Sequence, residues 1–292
     1  MPIYIKPGKD KKVRTKLPEF LKRPIIDTDT TRNVRRILKQ NCLNTVCENA
    51  RCPNKNECYT KNTATFLIMG NVCTRNCKYC NILCQKAKPL DKDEPVHVAN
   101  AVKALGLKYA VITSVTRDDL PDGGAGHFAQ CIYEIRKIMP EVKIEILTPD
   151  FKNDKSALDI IIEAKPDVFN HNIETVREIF PIARPQGNYE NSLEVLEYIK
   201  ENSSIETKSG MMIGLGETFG QIEATLKDLH DAGCDIVTIG QYIQPSKNHM
   251  EVAKYYELEE YEKLKKLAAK IGFTKYQIGP LVRSSYNAAS LV

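Results

Sequence analysis

The sequence predicts an α/β fold on a parallel sheet, and three observations predict it. Six short apolar runs rich in β-branched residues recur along the chain. Amphipathic segments at helical spacing lie between them. Strand–helix units in series imply parallel strands joined by helical crossovers. The length, 292 residues, allows one large domain or two ordinary ones. Six units fit either an open doubly wound sheet or a curved partial (β/α)6 barrel of the TIM type, and periodicity does not choose between them.

In chain order, residues 1–40 read as an arm, with LPEFLKRPI and a helical TRNVRRILKQ. Residues 41–62 read as a cysteine-rich loop. The expected strands are Thr63–Met69, Tyr109–Val115, Val142–Thr148, Asp167–His171, Glu206–Leu215 and Asp235–Gln241, each dense in Val, Ile or Thr. The expected helices are Val96–Leu105, Gly126–Met139, Lys155–Ala164, Ile173–Phe180, Leu193–Lys200, Thr218–Ala232 and Glu257–Ile271, where apolar positions recur three or four residues apart. No GxGxxG follows the first strand, which runs instead into Cys73. Both barrels and open sheets put their chemistry at that end of a strand. Residues 272–292 read as a tail too polar and irregular for another unit. The domains expected are therefore 1–62, 63–271 and 272–292.

Composition narrows the class. With 42% hydrophobic and 27% charged residues, the chain can bury a real core and stay soluble. No run of some twenty apolar residues predicts a membrane span. The basic N-terminus lacks the apolar stretch of a secretory signal. Ten cysteines without export cues point to metal in a reducing cytoplasm. The net charge is +5, with Lys11, Lys12, Arg14, Lys16, Lys22, Arg23, Arg32, Arg35, Arg36 and Lys39 gathered in the first forty positions. That region is either a solvated arm or a surface for an acidic partner. No aromatic interleaving or known module supports nucleic acid.

Six cysteines form two triplets fifteen residues apart. Cys47, Cys52 and Cys58 make CxxxxCxxxxxC, and Cys73, Cys77 and Cys80 make CxxxCxxC. A 4Fe–4S cube has four irons, each wanting an outside ligand that is usually a thiolate. Three cysteines leave one iron open, as a catalytic metal site keeps a position open for substrate. Two clusters, each with a fourth ligand to find, are therefore expected. A zinc knuckle is the structural alternative, but the second motif has no His at suitable spacing.

The CxxxCxxC loop, with Tyr79 before its last cysteine, resembles the radical S-adenosylmethionine (SAM) superfamily. The resemblance implies that SAM binds the open iron and that its reductive cleavage yields a radical able to take hydrogen from an unactivated C–H bond. VCENARCPNKNECY, VITSVTRDDLPDGGAGHF, NHNIETV, KSGMMIGLGET, TIGQYIQPS and GPLVRSSY narrow the likeness to the lipoyl synthase family, over roughly residues 15–287. That likeness implies a partial (β/α)6 barrel with N-terminal and C-terminal extensions. It implies two 4Fe–4S clusters, the second completed by Ser285 and dismantled to supply sulfur. A serine oxygen is harder than a thiolate and holds such an iron less well, which suits a cluster that must open. The implied reaction inserts two sulfurs, at carbons six and eight, into an octanoyl chain on a lipoyl-carrier domain. The carrier would be a 2-oxoacid dehydrogenase E2 component or the glycine-cleavage H protein. An electron donor such as flavodoxin or ferredoxin and an iron–sulfur carrier that rebuilds the second cluster are also implied. A monomer is expected, since no interface pattern in the sequence demands more.

Other residues follow from position. Asn170, His171, Asn172, Glu174 and Thr175 follow the fourth strand and are candidates for SAM, with a helix N-cap as the alternative. Gly214, Gly216 and Glu217 end the fifth strand, where glycine permits close backbone approach. Arg117, Asp118 and Asp119 read as a turn and helix start. Gln241 and Pro245 are placed at a substrate tunnel, and Arg283 beside the serine ligand is placed to neutralise charge. Cys131 and Cys234 are expected as core thiols, Cys42 as a spare, and the nearby Cys84 as a complicating further ligand for the CxxxCxxC triplet. Three departures from the family pattern, Thr116, Cys84 and Glu251, are expected to touch no cluster ligand.

Overall fold

A computed structural model describes residues 17–24 and 26–292, so the basic residues Lys11, Lys12, Arg14 and Lys16 lie outside the described residues. Among the described residues ten strands and ten α-helices follow one another in chain order. They are α1 (Asp29–Gln40), β1 (Asn44–Thr45), α2 (Val46–Asn49), α3 (Lys55–Thr60), β2 (Thr65–Ile68), β3 (Val72–Cys73) and β4 (Leu83–Cys84). Then come α4 (Glu94–Leu105), β5 (Tyr109–Ser114), α5 (Ala125–Ile138), β6 (Lys143–Leu147), α6 (Lys155–Ala164), β7 (Val168–Asn170), α7 (Phe180–Ala183) and α8 (Tyr189–Asn202). Last are β8 (Glu206–Ile213), α9 (Phe219–Asp231), β9 (Ile236–Gln241), α10 (Leu258–Ile271) and β10 (Lys275–Gly279).

Eight strands form one sheet in the order β1-β2-β5-β6-β7-β8-β9-β10, while β3 and β4 pair separately. All neighbours in the large sheet are parallel except β1 with β2. Beyond the edge strand β1 the strands run in chain order, as a barrel requires, and the sheet does not close. Alternation along the strands sorts their side chains. Ala110, Ile112, Ile144, Ile146, Phe169, Ile213, Val237 and Ile239 join the core packed against the helices. The other face is polar: Tyr109 and Asn170 both hydrogen-bond Glu145, which pairs with Lys208. A parallel sheet covered by helices on both faces would be apolar throughout. Here the second face lines an interior built for something else.

Four expectations need correction. Residues 41–62 are not wholly loop, because α2 carries Cys47 and α3 carries Cys58, with the Thr45 side chain capping α2. The region 173–180 is not a helix. Glu174 takes a left-handed φ of +70° and its backbone bridges to Met211, so the chain follows the sheet edge instead. The tail supplies a further parallel strand, β10, paired residue for residue with β9. As an edge strand it needs only one strand neighbour, so its polar residues are tolerated. The region 1–40 is not all arm, since α1 buries Val34, Ile37 and Leu38 in the core. Cys131 and Cys234 are buried, as expected of core thiols.

Candidate functional site

The second triplet sits at the C-terminal end of β2. Met69 and Gly70 turn the chain with φ of +65° and +93°, and β3 then presents Cys73. The Cys73 sulfur accepts hydrogen bonds from the backbone N–H groups of Arg75 (3.4 Å) and Thr116 (3.3 Å). Thr116 thus touches Cys73, an expected ligand, and Cys84 is the Cα partner of Cys73 in the β3–β4 pair. Both observations correct the expectation that the departures avoid the ligands. Thr116 acts through its backbone, so its side chain does not alter that contact. The rest of the loop is pinned from three sides. Lys78 N–H donates to the Ala183 carbonyl, Asn76 N–H to the Gln186 side chain, and His249 Nε2 meets the Cys80 carbonyl at 2.9 Å.

Arg75, inside the loop, is the centre of a buried ion network. Its guanidinium binds Asp118 through Nε and Nη2 (2.7 and 2.9 Å) and Asp150 through Nη1 and Nη2 (2.6 and 2.7 Å). Burial would raise the Asp150 carboxyl, but Arg75 outweighs it and holds the group well below the usual carboxylate range. Arg184 continues the network, lying 3.6 Å from Asp150 and donating to the Asn172 carbonyl at 3.3 Å. The Asn172 side chain accepts from Ser284 Oγ at 2.7 Å. The CxxxCxxC loop, the segment after β7 and the C-terminal tail are therefore one connected construction.

Glu174 faces Tyr79 and Arg184 beside Cys77. Burial raises its carboxyl pKa, and Arg184 opposes the shift. A non-glycine residue at positive φ costs about 1–3 kcal/mol and persists where a site needs its side chain aimed. His171 donates its Nδ1–H to the Thr148 carbonyl (2.9 Å), while Nε2 is buried without a partner. Burial, then the charge of Arg184, push its pKa down to about 4. Asn170 stands deeper, its amide on Glu145 at 3.0 Å and its Oδ1 unpartnered. Glu217 is engaged: its carboxylate accepts from the N–H groups of Gly214 and Leu215 and from the Tyr256 hydroxyl. It shapes the Gly214–Gly216 turn, in which both glycines have left-handed φ. Gln241 likewise spends its amide on Ile213, Tyr242 and Lys254 carbonyls.

The first triplet lies toward the opposite end of β2. Cys47, Cys58 and Ser285 line one cavity of about 490 Å³ with Thr65 and Tyr109, the first residues of β2 and β5. Cys52 N–H donates to the Cys47 carbonyl at 3.1 Å, and the Arg283 charge faces Cys52. Tail and cysteine loop are tied by Asn54 to the Leu281 carbonyl (2.6 Å) and by Tyr286 to Glu57 (2.8 Å). Burial pushes the Cys47 thiol up to about 11 and Cys58 up to about 12. Such thiols stay protonated until a metal displaces the proton. Among the described residues, no three Cys, His, Asp or Glu side chains could hold a single metal ion. Within each triplet the thiols lie close enough to feel one another's charge, Cys58 with Cys47 and Cys52, and Cys80 with Cys77 and Cys73; a cube asks for thiolates gathered at separate irons, which these two sets fit.

Sequence reasoning missed Arg75, Asp150, Arg184, Ser284 and His249. Only Arg75 and Ser284 carried a signal, through their places beside Cys73 and Ser285.

Comparison with known proteins agrees with this construction. Residues 67–229 match the family description "Radical SAM superfamily". The chain is similar to a protein named lipoyl synthase from Rubrobacter xylanophilus, 50% identical over 97% of this chain and 88% of that one. It is similar to another so named from Caldicellulosiruptor bescii, 53% identical over 94% of each. Among solved structures it resembles methylornithine synthase, with a TM-score of 0.56 and 13% identity over 86% of this chain and 79% of that one. At that identity the likeness concerns the fold alone.

Proposed function

Because the chain belongs to the lipoyl synthase family, within the radical SAM superfamily, we propose that its two cysteine triplets divide one sulfur-insertion reaction between them. The chain is a radical SAM sulfurtransferase. Cys73, Cys77 and Cys80 hold the cluster that SAM completes, with Asn172 and Glu174 facing the SAM methionyl and ribose groups. Asn170, Gly216 and Glu217 shape the surrounding wall. Cys47, Cys52, Cys58 and Ser285 hold the second cluster, beside which Arg283 offsets negative charge. When bound, the first cluster and SAM supply radical hydrogen abstraction, and the second cluster supplies sulfur.

The observation that supports this division is the cavity shared by Cys47, Cys58 and Ser285. Nothing in chain order would bring residue 285 to residues 47 and 58 except the return of the tail across the sheet. Between the two sites, β2 spans three residue intervals, roughly 10 Å. An octanoyl chain lying along the polar interior can face one site and then the other. The chain's own task is to position that acyl chain and exclude water.

The substrate is the octanoylated lysine of a lipoyl-carrier domain, from a 2-oxoacid dehydrogenase E2 component or a glycine-cleavage H protein, acting in the cytoplasm. Ser285→Ala should retain reductive SAM cleavage and lose the gain of two sulfurs on an octanoylated carrier peptide, read by mass spectrometry after anaerobic turnover. Full sulfur insertion by Ser285→Ala would remove the serine from the scheme. Cys73→Ala should abolish SAM cleavage itself.

A further inference from the structure

The short β3–β4 pair brings a thiol outside both triplets into register with one inside. Cys73 and Cys84 are Cα partners in it. Parallel strands lie about 4.8 Å apart, inside the span of about 4.4–6.8 Å between Cα atoms that a disulfide bridges. Residues paired in register present their side chains on the same face of the strands. The Cys84 sulfur leans toward β3, donating to the carbonyl of Thr74, the neighbour of Cys73, at 3.8 Å. The backbone holds this arrangement from both sides. Gln85 N–H donates to the Cys73 carbonyl at 3.2 Å, and the Thr74 N–H and hydroxyl both donate to the Thr116 carbonyl. Among the described residues no other two cysteines share a strand register. Cys84 is exposed and Cys73 half-buried.

We propose that Cys73 and Cys84 form a disulfide site of the cluster-free chain, closed by a small disulfide oxidant such as oxidised glutathione and reopened by thiols. The inference rests on the reading that Cys73 holds the SAM cluster. Exchange begins at the sulfur that the oxidant can reach, which is Cys84. Its thiolate attacks glutathione disulfide, forming a mixed disulfide and releasing one glutathione. The Cys73 thiolate then attacks the Cys84 sulfur and releases the second. The S–S bond of glutathione breaks and the Cys73–Cys84 bond forms. Two protein thiols are oxidised, one glutathione disulfide is reduced, and the two thiol protons end on the two glutathiones. In the bonded form Cys73 has no thiolate for iron, and Cys77 and Cys80 alone do not make up the triplet that a cube asks for. The bond withholds the SAM site from iron until reducing thiols return. It also shields Cys73 from irreversible oxidation. An exposed disulfide is of the labile kind that regulation needs, and in a reducing compartment such bonds are transient and redox-sensing. Cys77 and Cys80, spaced CxxC, are the competing pair.

The test treats the full-length, cluster-free protein with oxidised glutathione under argon, alkylates the remaining thiols and maps disulfides by mass spectrometry after trypsin. The peptides spanning residues 62–75 and 79–86 should be joined. The second peptide holds both Cys80 and Cys84, so the link should persist in Cys80→Ser and vanish in Cys84→Ser. Given iron and sulfide without added thiol, the oxidised wild type should take up about four irons fewer per chain than identically oxidised Cys84→Ser. Dithiothreitol should restore them. A Cys77–Cys80 link alone, or glutathione left on Cys84 with Cys73 free, overturns the proposal. So does equal iron uptake by the two oxidised proteins. Iron missing from Cys84→Ser even after full reduction also overturns it, by making Cys84 a ligand in its own right. Dithionite-driven SAM cleavage surviving in Cys73→Ala would instead sink the underlying cluster reading.

Discussion

Arg75 shows how much a single side chain can hold in place. It is 4% exposed, lies between Cys73 and Cys77 and satisfies two carboxylates at once. Removing one partner of a buried pair strands the other charge, at a cost of about 3–5 kcal/mol. Arg75→Met should therefore lower stability by about that much in chemical denaturation, with Asp150 as the stranded group. Arg75→Met/Asp150→Leu should recover part of the loss. His171 gives a pH-dependent counterpart. Its folded pKa of about 4 lies below the ordinary histidine value of 6.5. Between those values the unfolded chain binds a proton that the folded chain refuses. Its contribution is complete above pH 6.5 and is lost as pH falls toward 4, at up to about 1.4 kcal/mol per pH unit. Wild-type stability should fall from pH 7 to pH 5 by more than that of His171→Asn, in parallel anaerobic urea titrations. Equal pH slopes would show that this histidine is not held neutral. Of these groups the thiols were legible in the sequence, because ligand spacing is local and chemical. Arg184 and Asp150 were not, since their partners are brought together only by the curvature of the sheet.

At the scale of elements, the tail is the part whose position matters most. It crosses β8 and β9 where both strands carry glycine. A Cβ on Gly210 would lie 2.5 Å from Ser284 Oγ and 2.7 Å from Asn172 Oδ1, and one on Gly240 would strike the Val282 carbonyl. Gly240→Ala must push the tail's backbone away, and Ser285 moves with it. The expected outcome is a fall from about eight irons to about four per chain after anaerobic reconstitution, with SAM cleavage retained. An iron content equal to wild type would show that the tail can shift without losing the second site. Strands buried on the helix side were readable because their apolar runs are dense, and Lys155–Ala164 has the predicted bounds. Strand β10 was hidden because an edge strand carries half the apolar signal. The region 173–180 misled because its apolar spacing serves the core, with Ile173, Val176 and Phe180 buried, while the backbone turns at Glu174. Periodicity reports which side chains are buried, not which backbone delivers them.

At the scale of the whole molecule, the sheet separates two sites and makes the space between them polar. Lys208 and Glu145 are both fully buried, with Nζ 2.9 Å from each carboxylate oxygen. Tyr109 and Asn170 complete the carboxylate's partners, and Tyr109 also lines the Cys47–Cys58–Ser285 cavity. A buried ion pair is weak evidence for stability, because well-packed apolar residues often serve as well or better. Its retention inside the barrel therefore argues for positioning, and the two possibilities give opposite results. If the pair served only the fold, Lys208→Met/Glu145→Leu would be as active as wild type once folded. If it orders the interior against which the acyl chain lies, the double variant should fold with near-wild-type stability, bind both clusters and cleave SAM. Yet it should transfer sulfur poorly, raising the ratio of 5′-deoxyadenosine to lipoyl product. Lys208→Met alone should be worse on both counts, since it leaves Glu145 charged and unpaired at a cost of about 3–5 kcal/mol. The ratio of the two products, measured beside urea denaturation, separates a positioning role from a structural one. An unchanged ratio in the stable double variant would remove the interior charges from the handling of substrate.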